Sequence, residues 1–209
     1  MSTIVCSRRV AALCALLCTV LSGCTGSLFK SKAVPPSVYL LSAHAAPAQS
    51  AVAADLTVMR PRLRAGLDTD RIAVLYPDKR LDYFADARWS GPLDEVVQDL
   101  TVQAFAGGGR LRNVSADGSA FASGYWLEVQ VDDFQAQYAA SGGPPTVHVR
   151  FTARLGTAGD RKILGSFQAT SDQAASDNRL TAIVDAFEHA CDAALGQLVA
   201  DTTRTLAGG

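Results

Sequence analysis

Between Leu180 and Val199 the apolar residues return every third or fourth position: Leu180, Ile183, Val184, Phe187, Ala190, Cys191, Ala194, Leu195, Leu198 and Val199. That spacing gathers them on one face of an α-helix and scatters them in a strand. It predicts a helix from about Asn178 to Leu206. A helix in water gains most of its stability by burying such a stripe against a neighbour. The rest of the chain must therefore offer a broad apolar surface.

Strands are the evident source. Short apolar runs at Val38–Leu41, Leu56–Met59, Arg71–Leu75 and Leu81–Phe84 are separated by an Ala/Pro/Gln/Ser loop over 42–54, a connection from Pro61 to Asp70, and a turn at Pro77-Asp78-Lys79. From Pro92 the period changes to that of a helix, with Leu93, Val96, Val97, Leu100 and Ala104 on one face. Pro92 suits a first turn, Asp94 and Glu95 suit the positive end of the dipole, and Gly107-Gly108-Gly109 suits the stop. Leu111–Val114 reads as a strand.

Period two then returns. Tyr125, Leu127, Val129 and Val131 alternate with Trp126, Glu128, Gln130 and Asp132, and after Asp133 the apolar phase slips to Phe134, Ala136 and Tyr138. A one-residue slip in a continuous strand predicts a β-bulge. A Gly/Pro turn over 139–145 leads to Val147, Val149, Phe151, Ala153 and Leu155, which alternate with His148, Arg150, Thr152 and Arg154. A last strand covers Ile163–Thr170 after a turn at Gly159-Asp160. The expected fold class is α+β: a single domain with a mostly antiparallel or mixed sheet, wet on one face, packed against two amphipathic helices.

The N-terminus has a different grammar. Arg8 and Arg9 precede an apolar run from Val10 to Leu21, then small residues, then a cysteine. This is the layout of a secretory signal, and a run of about a dozen residues is too short to span a bilayer of roughly 30 Å. Leu21-Ser22-Gly23-Cys24 resembles the lipobox of bacterial lipoproteins. The resemblance implies cleavage between Gly23 and Cys24, a diacylglyceryl thioether on Cys24, and acylation of its new amine. Each buried CH₂ contributes about 0.8 kcal/mol, so one chain anchors weakly and several anchor firmly. Thr25 stands where an aspartate tends to hold enterobacterial lipoproteins in the inner membrane, which implies an outer-membrane destination.

These readings divide the chain into a signal peptide (1–23), a lipid-anchored flexible tether (24–37) and a folded domain (38–209). Extended at roughly 3.3 Å per residue, the tether reaches about 40 Å. Of the five cysteines, Cys6, Cys14 and Cys18 fall in the signal and Cys24 is taken by lipid. Cys191 alone is left, so the mature domain has no internal disulfide to expect and must hold by packing. Within the helical stripe it reads as a small buried hydrophobe. Removing Arg8 and Arg9 takes the formal charge from −1 to −3, which leaves no basic excess for nucleic acid.

Catalytic and metal motifs are not found. There is no HExxH, nucleophile elbow, phosphate loop, GxGxxG or CxxC. His44, His148 and His189 have no ligand spacing. Asp68-Thr69-Asp70 and Asp132-Asp133 suit turn and bulge roles. Glu128 and Asp132 are expected to face Arg150 and Arg154 across a strand pair. Trp126 falls on the polar phase, and two readings stay open: a partner surface, or a site covered by a neighbouring loop.

Order and spacing then become specific. Tyr39-Leu40-Leu41, Leu67-Asp68-Thr69-Asp70-Arg71-Ile72, Leu81-Asp82-Tyr83 with Ala87-Arg88-Trp89, Pro92-Leu93 opening a helix, and Val184-Asp185-Ala186-Phe187 in the closing helix resemble the ABC-type transport auxiliary lipoprotein family over about 38–206. The resemblance implies a non-enzymatic outer-membrane lipoprotein. Its partner would be an MCE-type substrate-binding protein of an ABC transporter moving phospholipid or similar apolar solutes. No cofactor is implied beyond the covalent lipid on Cys24, and a homo-oligomer stays open.

Read from the residues alone, Tyr83 and Trp89 pack a helix start, and Arg88 stacks on a ring or pairs with Asp86. The partner-binding candidates are Trp126 with its face neighbours, then Arg88-Trp89. An independent lipid carrier is the alternative, and it would need an apolar pocket of several hundred Å³.

Overall fold

The computed structural model describes residues 35–44, 51–107 and 111–208. In chain order its elements are β1 (Ser37–Tyr39), β2 (Val52–Val58), β3 (Arg62–Leu63), β4 (Arg71–Leu75), β5 (Leu81–Trp89), α1 (Leu93–Gly107), β6 (Leu111–Ala116), β7 (Tyr125–Gln137), β8 (Thr146–Thr157), β9 (Ile163–Ala174) and α2 (Leu180–Ala207). The strands form one mixed sheet, so the α+β expectation holds. The signal peptide, Gly23, Cys24, the tether up to residue 34 and the glycines after Gly107 lie outside the described residues.

β7 is the spine. On one edge it pairs antiparallel with β8 along its whole length, and β8 pairs likewise with β9. This is the meander that the alternation predicts. On its other edge β7 meets three short parallel partners in succession: β2 at Tyr125–Leu127, β3 at Gln130–Val131 and β4 at Ala136–Gln137. The segment from Val52 to Leu75 thus follows β7 in pieces. Pro61 lacks an N–H for the ladder, and it falls at the break between β2 and β3. β6 lies parallel beside β2, while β5 lies antiparallel beside β4.

Two irregularities re-aim strands. In β7 the pairing passes from Val131–Phe151 to Asp133–Arg150, so Asp132 is the extra residue of the expected bulge. In β5 the expected short strand continues to Trp89. Between the pairs Ala73–Tyr83 and Arg71–Arg88, five steps on β5 answer two on β4. Asp86 absorbs the kink in the left-handed region at φ 53°. Beyond it, Ala87–Trp89 takes a second partner, β1, in parallel register.

Both helices pack on one face of the sheet. Leu127, Val129, Val131, Val147, Val149, Ala153 and Leu155 are fully covered there. The whole predicted stripe of α2 is buried apart from Leu180, which is half-buried. Asn178 does not begin that helix. Its side chain accepts the Tyr138 hydroxyl at 2.6 Å, and the first turn closes with the Ile183 N–H donating to Arg179 O. No helix among the described residues is long and apolar enough to cross a membrane.

Candidate functional site

Neither described helix packs on the other sheet face, and its residues are the polar half of each alternation. Glu128 on β7 meets Arg62 at 2.8 Å and Arg154 at 3.9 Å. The expected partnership of Asp132 with Arg150 is not formed. The bulge moves Asp133 into that place, where it holds Arg150 and Arg64, each at 3.0 Å. Asp132 instead accepts hydrogen bonds from Thr152 at 2.6 Å and Gln130 at 2.7 Å. These contacts fix register and keep the face wet.

Where β2, β7 and β8 begin or end together, this face hollows into a groove of about 650 Å³. Trp126 lines it with Met59, Arg60, Arg62, Glu128 and Arg161. Trp126 is half-buried and fixed in place, because its indole N–H donates to Thr157 O at 3.0 Å. Its ring lies across Gly156, the paired residue on β8. A Cβ there would stand 2.3 Å from the ring, so only glycine allows this pose. Trp126 is therefore held in one pose. It is a rigid apolar wall.

The charges around the groove are mostly spent on each other. The Arg60 guanidinium donates to Asp94 at 2.5 Å and Glu95 at 3.1 Å, both in the first turn of α1. That contact holds the Asp94 carboxyl below the usual carboxylate range. Asp117 accepts from the Gln98 amide at 2.5 Å and the Arg60 backbone N–H at 3.2 Å. Arg161 has no acidic partner among the described residues. It projects from the β8–β9 turn with φ 56°, and the Asp160 carboxylate beside it is occupied by the Thr157 hydroxyl and the Lys162 N–H.

The other candidates separate. Trp89 is 2% exposed and meets Phe134 and Phe187 edge-on, with ring centroids 5.8 and 5.1 Å apart. It is a core residue and has no surface to give a partner. Arg88 is exposed and pairs with Asp70 at 3.1 Å, not with Asp86 or a ring. The cation on a ring is Arg71, 4.4 Å from the Tyr83 centroid. Arg88 stands opposite Val38 on edge strand β1; Val38 is 66% exposed, and Leu40, just past the strand, is 73% exposed. This exposed apolar edge has no signal in the hydropathy pattern, because such a short run reads as buried strand.

His44 hydrogen-bonds Asp192 and His148 hydrogen-bonds Asp172, at 2.8 and 2.6 Å, so these two histidines serve separate contacts. No cluster of three or more His, Cys, Asp or Glu that could hold a metal occurs among the described residues. Cys191 is a free, fully buried thiol, and burial pushes its pKa well above the usual range.

The fold is similar to that of protein XCC0632 from Xanthomonas campestris, at 25% identity and a TM-score of 0.76, covering 82% of this chain and 97% of that one. It is also similar in fold to the hypothetical protein CT253 from Chlamydia trachomatis, at 7% identity and a TM-score of 0.52, over 75% of this chain and 99% of that one. No curated protein matches the sequence. The sequence model of the ABC-type transport auxiliary lipoprotein component matches residues 39–201, nearly the whole described domain. The chain belongs to the ABC-type transport auxiliary lipoprotein family.

Proposed function

We propose that this protein is a non-enzymatic accessory lipoprotein of an MCE-type ABC transport system. It is anchored in the outer membrane by lipid on Cys24 and serves the transfer of phospholipid or similar apolar solutes. The observation that carries the reading is the family match over residues 39–201, a family whose members are auxiliary components of ABC-type transport. The lipobox-like Leu21-Ser22-Gly23-Cys24 and the absence of aspartate at position 25 support the anchor and its destination.

The partner docks at the edge formed by β1 and the end of β5. An edge strand with exposed apolar side chains is a surface that a monomeric protein normally blunts. Val38 and Leu40 supply the apolar contact, and Arg88 supplies a charged rim. Tethering raises the effective concentration of this surface near a fixed partner, so modest intrinsic affinity suffices. The test is crosslinking and pulldown from native membranes. The wild-type chain is expected to recover an MCE-domain protein. The double variant Val38→Asp, Leu40→Asp should lose that recovery at unchanged melting temperature. Equal recovery by the variant removes this edge as the docking surface.

A further inference from the structure

The groove over Trp126 has features that a wet sheet face does not need. Its volume of about 650 Å³ lies within the range of small-ligand sites, roughly 300–1,000 Å³. Its apolar wall is built in advance. Trp126 is tied to Thr157 O and seated on Gly156, while Met59 lies 37% exposed and Ala158 completes that side. A preset aromatic wall loses little conformational entropy when a ligand covers it.

The charge pattern selects the ligand. Arg60 is held by Asp94 and Glu95, Arg62 by Glu128, and Asp117 by Gln98. Arg161 is the wall cation without an acidic partner among the described residues, while the Asp117 carboxylate is held by the Gln98 amide and the Arg60 backbone N–H. The turn that carries it has its own acid, Asp160, committed to Thr157 and Lys162. A guanidinium in that position offers several parallel donors to a phosphate or carboxylate oxygen.

We infer that this groove binds a single amphipathic anion, with its phosphate or carboxylate on Arg161 and the start of its apolar chain along Trp126, Met59 and Ala158. A cation is disfavoured because the wall sets three guanidiniums, Arg60, Arg62 and Arg161, against two carboxylates, Asp117 and Glu128, and an uncharged amphiphile leaves Arg161 unused. The groove opens to solvent, so it takes the head and first part of a chain and does not enclose a whole lipid. This deepens the transport reading by giving the accessory protein a ligand site of its own. It is tested without the partner, so that loss of ligand binding and loss of MCE binding are separate outcomes.

The chain carries two tryptophans, and Trp89 is buried in the core, so a ligand in the groove is read in the emission of Trp126. The experiment titrates the mature chain bearing Cys24→Ser, whose residues 36–209 form one compact unit. The ligands are dodecyl phosphate, dodecyl maltoside and inorganic phosphate, with the amphiphiles kept below micelle formation. Dodecyl phosphate should change the emission saturably. Dodecyl maltoside and inorganic phosphate should bind at least about tenfold more weakly, since each lacks one half of the recognition. Arg161→Ala should weaken dodecyl phosphate about tenfold, the worth of a charge-assisted contact, at unchanged melting temperature. Comparable binding of dodecyl maltoside, comparable binding of phosphate alone, or undiminished binding by Arg161→Ala overturns the assignment.

Discussion

Gly156 is the residue on which the groove depends. With the Trp126 ring 2.3 Å from where a Cβ would stand, Gly156→Ala forces ring or strand to move. Overpacking of this kind typically destabilises by about 1–3 kcal/mol. Gly156→Ala should lower the unfolding midpoint and shift the Trp126 emission toward that of exposed indole, and unchanged values would mean the ring is not seated as described. Trp126 was visible in the sequence as an aromatic on the wrong phase. Its glycine partner was not, because they are thirty residues apart and only strand register joins them. Trp89 was read as packing a helix start, which its burial agrees with, and also as a partner candidate, which its burial removes. Its strand continues past a kink at Asp86 that no alternation announces, and this turns the ring into the core.

Two other side chains give tests at the same scale. Cys191 is sealed under the α2 stripe with its thiol pKa pushed up, and the thiolate is the reactive form. A polar maleimide should label it only on unfolding, and rapid labelling of the native chain would contradict its burial. Asp55 accepts hydrogen bonds from Arg112 and Asn113, which lower its pKa from 3.8 to about 2. A carboxylate with a depressed native pKa adds stability above its unfolded pKa and loses it as pH falls through the native one. Wild type should therefore exceed Asp55→Asn in stability above about pH 4, with the gap closing toward pH 2. A gap that is constant with pH would exclude the linkage.

At the scale of elements, α2 and the β7–β8–β9 meander hold the fold together. Leu195 is 1% exposed in the middle of the α2 stripe. Leu195→Ala should destabilise by about 2–5 kcal/mol in chemical unfolding, and a loss below about 0.5 kcal/mol would mean that the stripe is not the core face. These elements were legible because each repeats one period over many residues against one partner surface. The bulge in β7 was legible too, since a phase slip within a run has few other causes. The parallel edge was not. β2, β3 and β4 each touch β7 through two or three residues, which is shorter than any period can register. The early start of β2 at Val52 was hidden in a composition that reads as loop.

At the scale of the molecule, three features are placed apart. The chain enters at edge strand β1, the groove lies where β7 begins, and β5 and β4 stand between β1 and β7. The proposed docking edge and the proposed ligand groove therefore do not compete for one surface. The anchor itself has a direct check. Cys24→Ala should leave an uncleaved or mislocalised precursor, and a mature protein beginning at Cys24 with unmodified mass would contradict lipidation. Family membership was legible in short ordered motifs such as Leu67-Asp68-Thr69-Asp70 and Ala87-Arg88-Trp89. The groove was not, because its walls come from β2, β7 and the β8–β9 turn and meet only in the folded sheet.

The central claim is that this lipoprotein acts by holding an MCE-type partner of an ABC transporter. The most direct measurement is in-cell crosslinking through a photoreactive residue placed at Leu40, followed by mass spectrometry of the captured protein. Leu40, one residue past β1, is 73% exposed, so the probe leaves the core untouched. The account predicts a crosslink to an MCE-domain protein, lost when the transporter genes are deleted. If native-membrane crosslinking and pulldown both return no MCE protein, the accessory role is contradicted and an independent lipid carrier takes its place.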